Sequence, residues 1–200
     1  MTSSAVLDPG RADLVAPESP PDADGTFYEV VNGRRVEIPP MSAYAAKVAS
    51  RLVTELNIQA RAHQLGEAVV ETLFRLPLAE DRGRNRQPDI AFVSYDRWPV
   101  DRPQPEDANA WDVVPDLAVE VISPSNLAGE TLDKVLEYLR AGVRLVWVVY
   151  PRQRMIFAFE SPTLVRALAR ADTLEGGPVL PGFRLPLANL FDPVQPPRAP

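Results

Sequence analysis

Hydrophobic and polar positions change period several times along the chain. Phe27 to Val31 and Arg34 to Ile38 are short extended runs on either side of Asn32-Gly33. That pair suits the two positive-φ positions of a type I′ turn and predicts an opening β-hairpin, stopped by Pro39-Pro40. From Ser42 the period becomes helical. Val48, Leu52 and Leu56, with Ala45, Ala49 and Val53 beside them, predict a helix to about His63, with Gly66 following it. Glu67 to Leu78 reads as one long strand or two short ones. Asp89 to Val93 predicts a short strand, and Tyr95 to Val114 a polar, proline-bearing excursion over the surface. Asp116 to Ile122 is a β-branched strand ended by Pro124. Leu127 to Ala141 predicts a second helix closed by Gly142. Leu145 to Tyr150 is apolar throughout, as a strand buried on both faces should be. Met155 to Phe159 and Thr163 to Leu168 read as a closing hairpin, and Phe183 to Leu190 as a final docking segment.

Strand, helix and buried strand over 116–122, 127–141 and 145–150 form a crossover unit, which makes part of the sheet parallel. The fold class is therefore α/β (α+β): a mixed sheet flanked by two main helices, with an N-terminal β-hairpin. Residues 1–26 are rich in Pro, Ala, Asp and Ser without apolar periodicity and read as a disordered acidic tail. Residues 193–200 contain four prolines and read as a second tail, leaving one domain over 27–192.

Composition narrows the function classes. No apolar run approaches the roughly 20 residues of a membrane helix. The start lacks the basic-then-apolar order of a secretory signal. Without cysteine there is no disulfide framework, thiolate metal site or thiol nucleophile. These absences predict a cytoplasmic protein. Taken whole, the net charge of −6 opposes nucleic acid as a partner. Residues 1–26, however, hold Asp8, Asp13, Glu18, Asp22 and Asp24 against Arg11 alone, a local −4, so the rest carries only −2. Charge neither supports nor excludes DNA.

Three residues carry candidate chemistry, each beside a plainer reading. Asp89 opens a strand, where an acid often only caps a turn. Glu120 interrupts the apolar run Leu117-Ala118-Val119-Glu120-Val121-Ile122, and a carboxylate there is costly unless paired, hydrogen-bonded or metal-bound. Alternation puts Leu117, Val119 and Val121 on one face and Ala118, Glu120 and Ile122 on the other. An edge strand with Glu120 in solvent is the plain alternative. On the second helix, Leu132, Val135, Leu136 and Leu139 form the expected core stripe, with Lys134 on the opposite flank beside Thr131, Glu130 and Tyr138. Periodicity alone makes Lys134 a solvated lysine. His63 is the single histidine, so a Ser-His-Asp triad or a multi-histidine metal site is disfavoured. The phosphate-binding glycine loops and the nucleophile elbow are absent.

Taken in order, three blocks resemble a known family. They are Arg86-Gln87-Pro88-Asp89-Ile90-Ala91-Phe92-Val93-Ser94, then Pro115-Asp116-Leu117-Ala118-Val119-Glu120-Val121-Ile122-Ser123-Pro124-Ser125, then Lys134-Val135-Leu136-Glu137-Tyr138-Leu139-Arg140-Ala141-Gly142-Val143 running into Val146-Trp147-Val148-Val149. The series, with the opening Tyr28-Glu29-Val30-Val31-Asn32-Gly33-Arg34, is similar to the Uma family of bacterial restriction-endonuclease-like proteins, within the PD-(D/E)xK nuclease superfamily. The likeness covers about residues 27–192.

The resemblance implies a metal-dependent endonuclease that hydrolyses DNA phosphodiester bonds. It implies Asp89 as first metal ligand, Glu120 as the acid of the second motif, and the Val121 carbonyl as a third oxygen donor for Mg²⁺, with Mn²⁺ as a substitute. The lysine usual two residues after that acid is replaced by Ile122. Lys134 matches the position from which family members supply it. A histidine common near the start of the first helix is absent, since Ser42-Ala43-Tyr44-Ala45-Ala46 stands there. That absence leaves open a catalytically inactive binding or regulatory module of the same fold. A homodimer is expected, because cutting both strands of a duplex usually takes two sites and two-fold dimers are the commonest closed assembly.

Overall fold

The computed structural model describes residues 27–103, 108–124 and 126–192. The two segments read as tails lie outside the described residues. The chain opens with β1 (Tyr28–Val31) and β2 (Arg34–Glu37), then α1 (Ala43–Ala62) and β3 (Gly66–Val70). Two short strands, β4 (Phe74–Arg75) and β5 (Asn85–Arg86), precede β6 (Ile90–Ser94) and β7 (Leu117–Val121). After α2 (Ala128–Ala141) come β8 (Leu145–Tyr150), β9 (Met155–Phe159), β10 (Val165–Ala169), β11 (Thr173–Glu175), β12 (Arg184–Pro186) and α3 (Leu187–Phe191).

The opening turn adopts the predicted geometry, with φ of 51° at Asn32 and 68° at Gly33. Ser42 caps α1 by accepting a hydrogen bond from the Ala45 amide. Gly142 closes α2 in a left-handed conformation, φ 99°, that costs a glycine little.

The main sheet has the order β10-β9-β8-β7-β6-β3. Within it β7 and β8 run parallel, joined by the α2 crossover, and the remaining neighbours are antiparallel. Alternation divides the core. Leu117, Val119 and Val121 of β7 and Trp147 and Val149 of β8 pack with Val48, Leu52 and Leu56 of α1 and with Leu187, Leu190 and Phe191 of α3. Ala118 of β7 and Val146 and Val148 of β8 face Val135 and Tyr138 of α2. Each large apolar side chain fully buried this way contributes about 1.5–3 kcal/mol.

β7 is an interior strand, so Glu120 is buried under α2 and does not stand at a solvent edge. The stripe expected on α2 is rotated. Thr131, Val135, Tyr138 and Ala141 are buried, whereas Leu132 is 49% exposed. The helix turns this way because Tyr138 and Lys134 find polar partners on the sheet, a gain that hydrophobic periodicity does not register. The described parts of the excursion, 95–103 and 108–114, are also better anchored than their composition predicts: Trp98 is buried and meets Trp111 edge-on at 5.2 Å. A second, small sheet of order β2-β1-β5-β4 brings β1 and β5 toward α2.

Candidate active site

Antiparallel pairing of β6 with β7 matches Ile90 to Val119 and Ala91 to Ala118. Continued by one residue, that register sets Asp89 opposite Glu120 on the face covered by α2. The ladder stops there because the Asp89 side chain replaces it: Oδ2 accepts the Val121 amide hydrogen at 2.5 Å. The N–H and C=O of one strand residue point to the same side. The Val121 carbonyl is therefore turned toward Asp89 as well. Beside Asp89 opens a cleft of about 230 Å³, lined among others by Phe27, Pro40, Met41, Ala46 and Glu71.

Glu120 is held at both oxygens. The Tyr138 hydroxyl donates to Oε1 at 2.7 Å, and the Lys134 ammonium lies 3.5 Å from Oε2. A second carboxylate is closer to the lysine, with Glu29 Oε1 2.9 Å from Nζ. From Glu29 a buried chain of ion pairs runs outward. Arg86 Nη1 is 2.6 Å from Glu29 Oε2, and its Nε is 2.7 Å from Glu137 Oε2. Arg84 continues to Glu137 at 3.2 Å and to Asp81 at 3.1 Å. Five carboxylates (Asp81, Asp89, Glu29, Glu120, Glu137) thus meet three cations (Arg84, Arg86, Lys134), which leaves two negative charges uncompensated.

That excess appears in the ionisation of the pair. Burial pushes the Asp89 carboxyl up to about 7, helped by the Glu120 charge and opposed by the Val121 amide and Lys134. Burial likewise raises Glu120, against the pull of Lys134. For Lys134, burial works to lower the pKa, but Glu120 and Glu29 outweigh it and keep the ammonium charged. Burial, then Glu120, pushes the Tyr138 phenol far up, so it remains a donor.

Asp89, Glu120, Val121 and Lys134 therefore converge, whereas His63 caps the far end of α1. The segment 42–46, which lacks the family's histidine, borders the same cleft through Ala46, and its Ser42 amide donates to the Ser123 hydroxyl just past β7. Sequence reasoning missed Glu29, Arg86, Glu137 and Tyr138 as members of the cluster. Lys134, Glu137 and Tyr138, spaced three and four apart, form a polar stripe on α2 that could have been read as an inward face. Nothing in the periodicity of β1 marks Glu29.

Oxygen donors alone favour a hard cation, and Mg²⁺ typically takes one or two carboxylates with waters and substrate phosphate. Among the described residues no group of three or more His, Cys, Asp or Glu is arranged to hold a metal. The two-carboxylate set fits a site of that lean kind, and its charge deficit suits a divalent ion.

The fold defines the class as an α/β domain built on a mixed sheet. In crystal form, a protein from Anabaena variabilis ATCC 29413 described as "a putative nuclease belonging to DUF820" superimposes with a TM-score of 0.71. It shares 19% identity over 82% of this chain and 89% of its own, a likeness of fold. The profile of the Uma2 family, described as "putative restriction endonuclease", matches residues 16–188, and the chain belongs to that family. No curated protein matches.

Proposed function

We propose that the protein is a Mg²⁺-dependent endonuclease that hydrolyses phosphodiester bonds of DNA and works as a homodimer. Asp89, Glu120 and the Val121 carbonyl hold the cation, with Mn²⁺ as a substitute. The observation that carries the reading is the pair of cross-strand acids, both raised in pKa, with an ammonium 3.5 Å away. Such a constellation serves a structural protein poorly and suits charge that develops on a phosphate. Bound divalent metal supplies a water of lowered pKa and neutralises phosphate charge. Tyr138 fixes the Glu120 carboxylate in one orientation. Lys134 donates to a non-bridging oxygen of the pentavalent phosphate as the water oxygen bonds to phosphorus and the bond to the leaving sugar oxygen breaks. The leaving oxygen then takes a proton, while the attacking water has released one.

A non-catalytic module of the same fold is the second reading, favoured by the hydrogen bonds that already occupy both Glu120 oxygens. Nicking of supercoiled plasmid and thermal melts, each with and without Mn²⁺, separate the two. The nuclease reading expects Mn²⁺ to raise the wild-type melting temperature and to support nicking, with both effects lost in Glu120→Gln. A wild-type melt indifferent to millimolar Mn²⁺, no nicking and a clearly destabilised Glu120→Gln would leave the binding module.

A further inference from the structure

From the ion-pair geometry we infer that Glu29, on the N-terminal hairpin, is the positioning residue of Lys134 and makes that hairpin the third wall of the active site. The inference rests on the nuclease reading for its consequence but not for its geometry. Lys134 stands between two carboxylates and is nearer to Glu29, at 2.9 Å, than to Glu120, at 3.5 Å. Glu29 is only 3% exposed. Its Oε1 accepts from the Gln87 amide at 3.2 Å, and its Oε2 is held by Arg86 at 2.6 Å. Held by two protein donors besides the lysine, Glu29 is well placed as a fixed anchor. Arg86 is in turn gripped by Glu137 at 2.7 Å, so the anchor is braced from α2, the helix that carries Lys134.

The consequence is for the second acid. An ammonium free to choose would settle on Glu120, neutralise it and compete with a cation for its oxygens. Drawn toward Glu29, Lys134 keeps its charge beside the site while leaving Glu120 partly uncompensated. The residue type agrees. Of 21 basic residues in the chain, 19 are arginine and two are lysine, Lys47 and Lys134. The compact ammonium of Lys134 reaches one oxygen of each of two carboxylates.

Because the second lysine, Lys47, is exposed on α1, it is an internal reference for amine labelling. In metal-free protein, Glu29→Gln should raise the labelling of Lys134 relative to Lys47 severalfold. With Mn²⁺ and plasmid, the nicking rate at saturating DNA should fall tenfold or more while DNA affinity stays within twofold. Glu29→Asp keeps the charge but is one methylene shorter, and should show the same changes to a lesser degree if Glu29→Gln folds poorly. On a Lys134→Met background, adding Glu29→Gln should change nothing further in Mn²⁺ affinity, since the residue acts through the lysine. An unchanged labelling ratio in both Glu29 variants would overturn the inference, as would an equal effect of Glu29→Gln on Mn²⁺ affinity with and without Lys134. A wild type that neither nicks nor binds Mn²⁺ would sink the nuclease reading alone, with the labelling ratio still deciding the role of Glu29.

Discussion

Replacing Asp89 by Asn tests the charge imbalance of the site without any ligand. Asn keeps the size of the side chain and an oxygen that can accept the Val121 amide hydrogen, but removes one of two facing charges. The rise of Asp89 from 3.8 to about 7, at about 1.4 kcal/mol per pKa unit, corresponds to about 4 kcal/mol of penalty on the charged form. The carboxyl is half-buried at the mouth of a cleft, and residual solvent screening cuts that to about 1–3 kcal/mol. Loss of a charge-assisted hydrogen bond to Val121 takes back about 1 kcal/mol. Asp89→Asn should therefore stabilise the metal-free protein at pH 8 by up to about 2 kcal/mol, at most a few degrees in melting temperature for a domain of this size.

The pH dependence gives the sign. The folded pKa lies above the unfolded value, so between about 4 and 7 the native state binds more protons than the unfolded one. Stability from this group is then highest at acid pH and is lost as pH rises to 7. Asn does not titrate. The advantage of the variant should grow from near zero at pH 4 to its full size above pH 7. Urea denaturation of both proteins in chelator from pH 4.5 to 8.5 reads this gap directly. A gap that does not vary with pH, or a variant less stable throughout, would mean that Asp89 is a satisfied structural acid and that the argument from repulsion fails.

Two further outcomes follow from the same geometry. Arg86→Met removes the cation that bridges buried Glu29 and Glu137, leaving each with one partner, Lys134 and Arg84 respectively, and should cost about 3 kcal/mol in denaturant unfolding, the low end for a broken buried pair; a cost below about 1 kcal/mol would remove the brace behind Lys134. If the protein acts as a dimer, sedimentation at micromolar concentration should give twice the mass of one chain, and a monomeric mass would count against paired sites.

The sequence made legible those parts of the fold in which burial is apolar and periodic. Asn32-Gly33, the α1 stripe, the apolar β8 and Gly142 each fixed a local structure through one physical cause, and each appears where expected. The rotation of α2 was not legible, because Tyr138 and Lys134 turn inward for polar partners that lie on β7 and β1, far away in sequence. For the same reason Asp89 and Glu120 could be suspected from their strands, while Glu29 could not. An acid on a four-residue strand with arginines on the facing strand looks solvated until the hairpin is docked. β5, two residues long, carries no pattern at all, yet it sets Arg86 between Glu29 and Glu137.

The cluster under α2 is a poor way to stabilise a domain. Buried ion pairs seldom exceed apolar packing of equal volume, and this one is two positive charges short. A metal-free fold can close that gap by taking up protons, and the raised Asp89 and Glu120 carboxyls are the form this takes. The divalent cation proposed for the site would close it without protons. Cation uptake should therefore displace a proton from Asp89 and strengthen with pH through about 7, the range over which the metal-free protein loses stability. The electrostatic burden of this cluster and the capacity for metal proposed for it would have one origin, the cross-strand register of Asp89 with Glu120 and the hold of Glu29 on Lys134.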